Sequence, residues 1–204
     1  MDGHLWLAFL AASIIISLTP GPGAVMTMSV GAQHGFGAAA RAIAGLQLAL
    51  LIQLAIIGAG LGAVLAASAT AFLVLKIAGA AYLVWLGIQK WRAVPHGLGG
   101  ATVARPQRLF ASAVLVNLTN PKAIVFIAAL VPQFIRPDGS AWLQFAIIGA
   151  TMVAVDVVVM SCYAGLASRI RPWLASVRVQ RMQNRVFGGL FVGAGAALAA
   201  SSNH

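Results

Sequence analysis

Leu18-Thr19-Pro20-Gly21-Pro22-Gly23 interrupts the first long apolar run of the chain. Proline removes a backbone donor and clashes with the preceding turn, and glycine loosens the backbone, so this stretch ends a regular helix. In lipid, the N–H and C=O groups freed by such a break are tolerated only where they are buried in protein or line a cavity. A second stretch, Asn117-Leu118-Thr119-Asn120-Pro121-Lys122, interrupts a later apolar run in the same way. Broken helices at corresponding positions of two halves are the sequence pattern that points to a transporter binding site.

Composition supports a membrane setting. Of 204 residues, 61% are hydrophobic and 8% are charged, against about a quarter charged in a soluble domain. The mean hydropathy is +0.94. The chain reads as an all-α integral membrane protein with a single transport domain over 1–204. A net charge of +10 could suit nucleic acid, but most Lys and Arg gather in 90–108 and 169–185, each flanked by apolar runs. That is the pattern of cytoplasmic loops facing anionic lipid headgroups, and it argues against nucleic acid as a partner. The start, Met1-Asp2-Gly3-His4-Leu5, lacks a positive n-region, so the first run is expected to be retained as a span.

Six transmembrane helices are predicted, at 5–30, 39–66, 70–91, 109–134, 141–167 and 184–201, judged against the roughly 20 residues a crossing needs. The sixth has a short core rich in Gly and Ala, which leaves a five-span arrangement open. With six spans, Arg41, the segment from Lys90 to Arg108 and the segment from Arg169 to Arg185 share the cytoplasmic side, and Arg136 lies opposite. Trp6, Trp91, Trp142 and Trp173 fall near span ends, as interfacial anchors do. Gly58, Gly60, Gly62, Gly79, Gly188 and Gly189 supply small faces for close helix packing. Across 169–185, Trp173, Leu174, Val177 and Met182 share one helical face while Arg178, Arg181 and Arg185 share another, which predicts an interfacial amphipathic helix.

The two halves align. Gly21-Pro22-Gly23-Ala24 matches Asn120-Pro121-Lys122-Ala123, and Lys76-Ile77-Ala78-Gly79-Ala80 matches Arg185-Val186-Phe187-Gly188-Gly189. Repeat one is placed at about 1–92, a cytoplasmic loop at about 93–108 and repeat two at about 109–204. Three spans per repeat force opposite insertion, so the prediction is two inverted three-helix repeats, the first helix of each broken.

At each break, the N-terminus of the second half-helix suits a carboxylate and the carbonyls ending the first half suit an ammonium group. The candidate substrate-binding residues are therefore Thr19, Pro20, Gly21, Pro22, Gly23, Asn117, Asn120, Pro121 and Lys122, together with the mid-membrane Gln53. Gln47 is the other polar residue of span two, serving either the substrate path or a bond between helices. Asp156 is the only acidic residue inside a span. A carboxylate at that depth is costly in lipid and faces the interior by default. It could bind a substrate amine, carry a coupling proton, or pair with Lys122. Tyr163, seven residues on, can face the same side.

Enzyme classes fit poorly. Cys162 is the sole cysteine, which excludes a CxxC redox pair, and there is no HExxH. No cofactor or metal site is expected, because the four histidines lie in loops or termini. A cation or metal-ion exporter is the alternative within transport, but it would want more acids, Cys or His in the spans.

The Thr19-Pro20-Gly21-Pro22 break, the Asn120-Pro121-Lys122-Ala123 element and the run Leu75-Lys76-Ile77-Ala78-Gly79-Ala80-Ala81-Tyr82-Leu83 resemble the LysE/RhtB family of amino-acid exporters, of the homoserine and threonine efflux type. The resemblance covers nearly the whole chain in order. It implies a multi-pass protein of the bacterial inner membrane that exports amino acids or close derivatives, driven by protons, with a homo-oligomer left open. Asp156 matches an acidic position of that family. Two departures stand out: Ala49 replaces an expected glycine, and Gln53 stands for an expected polar residue of span two.

Overall fold

The computed structural model describes residues 2–67, 69–94, 106–136, 139–167 and 176–200, and every element among them is helical. α1 (Gly3–Leu18) and α2 (Pro22–His34) form a pair bent by 56°. α3 (Phe36–Ala67) and α4 (Ala69–Arg92) follow. α5 (Leu109–Leu118) and α6 (Pro121–Val125) begin a second pair, bent by 54°. That pair runs on through a π turn at Phe126–Leu130 and a 3-10 turn at Val131–Phe134. α7 (Ala141–Gly165) and α8 (Val177–Ala200) complete the chain.

Local chemistry sets the boundaries. Thr19 precedes a proline and is extended, at φ −79° and ψ 116°, because the proline ring disfavours helical geometry in its predecessor. Pro22 and Pro121 then occupy the first turns of α2 and α6, where a missing N–H costs nothing. Ser140 caps α7 by accepting from Leu143 N at 3.4 Å. Gly35, at φ +78°, makes the tight corner from α2 into α3.

Packing pairs the elements across the two halves. α3 lies along α5, α7 lies against α1 and α2, and α4 lies along α8. Close approaches are made at glycines. A Cβ on Gly31 of α2 would sit 2.6 Å from Ala164 O of α7, and one on Gly188 of α8 would sit 2.7 Å from Gly87 O of α4. Gly58 faces the Phe145 ring, whereas a Cβ on Gly60 would meet nothing within 4 Å among the described residues. The side chains at positions 62 and 79 lie outside the description.

Among the described residues, two larger apolar clusters form the core beside a smaller one of Val30, Ala39, Leu109 and Ala164. Of the larger two, one joins Met28, Ile43, Leu46, Met160 and Tyr163; the other joins Phe9, Leu50, Leu54, Phe126, Ile127, Ile148 and Met152. Outward, large apolar side chains such as Leu7, Ile14, Leu51, Ile56, Trp142 and Val158 are exposed. A bare apolar girdle of this kind suits lipid and not water.

The span count is bounded and one expectation changes. Among the described residues, two uninterrupted helices, Phe36–Gly60 and Ala141–Gly165, and the two bent pairs have the length and apolarity of a crossing, which makes up to four. The predicted third and sixth spans correspond to α4 and α8. Ser201, the last residue of the predicted sixth span, lies outside the described residues, as do 168–175 with Trp173 and Leu174 of the predicted interfacial helix. The remainder of that segment, from Val177 onward, is not a separate helix but the start of α8, which continues unbroken to Ala200. Nothing in Val177–Arg185 stops a helix: it contains neither proline nor glycine.

Candidate functional site

The two breaks lie side by side, and each is closed by groups from distant parts of the chain. The last carbonyls of a helix have no intrahelical partner. At the end of α1, Lys122 Nζ donates to Ile16 O at 3.0 Å and Thr19 O at 2.7 Å, and Tyr163 OH donates to Leu18 O at 2.8 Å. Thr19 Oγ1 turns back to Ile15 O at 2.9 Å. At the end of α5, Gln53 Nε2 donates to Asn117 O at 2.9 Å and Leu118 O at 3.4 Å. The carbonyls expected to hold a substrate amine are thus occupied by the protein's own donors, because buried backbone oxygens need partners when no substrate is bound.

The second break is also stitched to α3 and to itself. Asn117 Nδ2 donates to Leu46 O at 2.9 Å, and Asn120 Nδ2 donates to Asn117 Oδ1 at 3.2 Å. Asn120 Oδ1 accepts from Lys122 N at 3.1 Å, capping α6. The start of α2 is different: Gly21 precedes it without a side-chain cap. The first N–H groups of α2 therefore carry partial positive charge beside Lys122, whose Cε would lie 3.4 Å from a Cβ placed on Gly21.

Asp156 of α7 accepts from Ser17 Oγ at 3.2 Å and from Gln47 Nε2 at 2.7 Å. Asp156 and Lys122 both face one cavity of about 50 Å³. Ser13 and Ser17 line it from α1, Gly21, Gly23 and Ala24 from the start of α2, and Asn117 and Asn120 from the second break. Leu46, Leu50, Phe126, Met152 and Met160 form its apolar walls, so it lies at the junction of the two larger core clusters. A water molecule needs about 10–15 Å³ by such a measure. The cavity therefore has room for only a few water-sized molecules, and an amino acid requires it to widen.

Of the residues singled out from sequence, Gly21, Gly23, Asn117, Asn120, Lys122 and Asp156 come together around the cavity. Pro20, Pro22 and Pro121 shape the backbone beside it, while Thr19 and Gln53 hold freed carbonyls. Ser13 and Ser17 were not anticipated. Their signal was a pair of hydroxyls one turn apart in an otherwise apolar helix, a spacing that puts both on one face. Among the described residues, Ser13 Oγ, Gln47 Oε1 and Gln53 Oε1 are buried without a hydrogen-bond partner. Also among the described residues, no three His, Cys, Asp or Glu side chains gather as a metal site.

Comparison with known proteins bears on the chemistry. The model of the LysE type translocator family matches residues 14–202. A homoserine/homoserine lactone efflux protein of Salmonella typhi is 48% identical over 204 residues, covering 98% of each chain. An uncharacterized membrane protein of Vibrio cholerae is 44% identical over 207 residues, again covering 98% of each. A leucine efflux protein of Klebsiella pneumoniae is 27% identical over 199 residues, covering 95% of this chain and 94% of the relative. No solved structure matches. The two relatives named as efflux proteins concern amino acids or a derivative, which disfavours the cation-exporter alternative.

Proposed function

The chain belongs to the LysE type translocator family, and on that premise we propose that it is a proton-coupled secondary exporter of a small amino acid or derivative across the bacterial inner membrane. It is a carrier and not an enzyme. The observation that carries this reading is the meeting of one carboxylate, Asp156, and one ammonium, Lys122, at a cavity between two broken helices.

The geometry suits a zwitterion. The substrate ammonium takes Asp156, whose carboxylate is held in place by Ser17 and Gln47. The substrate carboxylate takes the uncapped start of α2 at Gly23 and Ala24, with Lys122 alongside. Coupling follows from exclusive occupancy. A proton on Asp156 removes the charge that attracts the amine, so amine and proton alternate on one group. A proton entering from outside and leaving inside then drives a substrate molecule outward.

Alternation is supplied by two inverted three-helix repeats spanning the membrane six times, with α4 and α8 as the third helices. The pairing of α3 with α5, of α7 with α1 and α2, and of α4 with α8 is what such a repeat would produce. Side chains of both larger core clusters wall the cavity, and separating one of these clusters would open it. Lipid covers the apolar girdle. The mechanism works in a single copy and does not require a homo-oligomer.

The test is transport by purified protein in proteoliposomes, using a panel that includes labelled homoserine and leucine, with and without an imposed pH gradient. Gradient-stimulated movement of one or a few amino acids is the expected result. Absence of movement of every amino acid, in protein shown to be folded, would overturn the reading.

A further inference from the structure

Ser13 is 1% exposed, lines the cavity, and has no hydrogen-bond partner for its hydroxyl among the described residues. A serine inside a helix ordinarily satisfies itself on the carbonyl one turn back; this one does not. Leaving a buried hydroxyl unpaired is unfavourable, and the chain does so here beside a cavity that carries opposite charges. Ser17, one turn away on the same face of α1, is committed to Asp156 at 3.2 Å. Ser13 therefore stands about one helical turn beyond the carboxylate, roughly 5–6 Å along α1.

We propose that Ser13 determines specificity by hydrogen-bonding an oxygen on the substrate side chain. The proposal rests on the exporter reading and adds to it the residue that selects cargo with a side-chain hydroxyl or carbonyl a few bonds from the amine. With the amine on Asp156, such a side chain runs along α1 and reaches Ser13. A hydroxyl both donates and accepts, so Ser13 can serve a substrate hydroxyl or a carbonyl oxygen alike. An apolar side chain of the same size leaves the Ser13 hydroxyl buried and unpaired, and a site built on a hydrogen bond rejects the analogue that lacks it.

The experiment compares efflux of homoserine with that of norvaline, which carries a methyl in place of the hydroxyl, in proteoliposomes under the same pH gradient. The wild-type protein is expected to favour homoserine, and Ser13→Ala to reduce the ratio of the two kcat/KM values by about tenfold. Ser13→Thr, which keeps the hydroxyl, should retain most of the preference. A general folding defect lowers both substrates together and leaves the ratio unchanged. An unchanged ratio in Ser13→Ala, or no preference in the wild type, overturns the role of Ser13 while the exporter stands. Failure of the wild-type protein to move either compound or any other amino acid overturns the exporter reading itself.

Discussion

Gln47 reaches from α3 to donate a 2.7 Å hydrogen bond to Asp156 Oδ2 on α7, and so ties these two long helices together at the carboxylate. The bond holds Asp156 Oδ2 toward α3. It also fixes the direction in which the remaining lone pairs point into the cavity. Gln47→Leu removes the donor while keeping the bulk. Substrate affinity is expected to fall by about tenfold, read as a raised KM for efflux with the folded fraction retained on size-exclusion chromatography. Gln47→Glu should be far worse, because it sets a second carboxylate against the first.

Lys122 holds α1 and the second break together by donating to Ile16 O and Thr19 O. Lys122→Met leaves these carbonyls without that donor. The expected loss is about 1–3 kcal/mol of stability for each buried group left unsatisfied, seen as a lower melting temperature in detergent, together with a loss of transport. If the melting temperature is unchanged, the ammonium is not what closes the first break.

Gly31 and Gly45 mark where backbones touch. A Cβ on Gly31 would lie 2.6 Å from Ala164 O, and one on Gly45 would overlap Phe110 O. Backbone cannot yield as a flexible side chain can, so Gly31→Ala and Gly45→Ala should separate α2 from α7 and α3 from α5. The expected result is a sharp fall in folded yield. Gly60→Ala, with nothing within 4 Å of the added methyl among the described residues, is the control and should be neutral.

How much of this was legible in the sequence depends on the range of the interaction. The ends of α1 and α5 were readable because Pro20 and Pro121 act on their immediate neighbours, and a ring that blocks a helix does so in any context. The inward depth of Asp156 was readable because lipid penalises a carboxylate. The partners were not. Lys122 meets a carbonyl 106 residues away, and Gln47 meets a carboxylate 109 residues away, which only packing decides. The continuity of α8 through Val177–Arg185 was missed because a run of arginines on one face fits both an interfacial helix and the exposed end of a longer one. Ser13 and Ser17 were passed over because single hydroxyls in an apolar helix are commonly absorbed by their own backbone, as Thr27 Oγ1 is by Gly23 O at 2.6 Å.

Asp156→Asn separates the two tasks given to the carboxylate. The variant keeps the size of the side chain and an acceptor for Ser17, so the protein should fold. It cannot lose or gain a proton, and it offers no charge to an amine. If Asp156 serves both amine and proton, gradient-driven efflux and gradient-free exchange of labelled for unlabelled amino acid both fall by more than about a hundredfold, in line with the few kcal/mol that follow when one member of a buried charge pair is removed. If it carries the proton alone, exchange survives while uphill efflux vanishes, because substrate still crosses but nothing couples it to the gradient. Undiminished uphill efflux in the variant would remove Asp156 from the mechanism. The proton would then have to ride on another group, and Lys122 is the other ionisable side chain that lines the cavity, which would make Lys122→Met the next variant to assay for coupling.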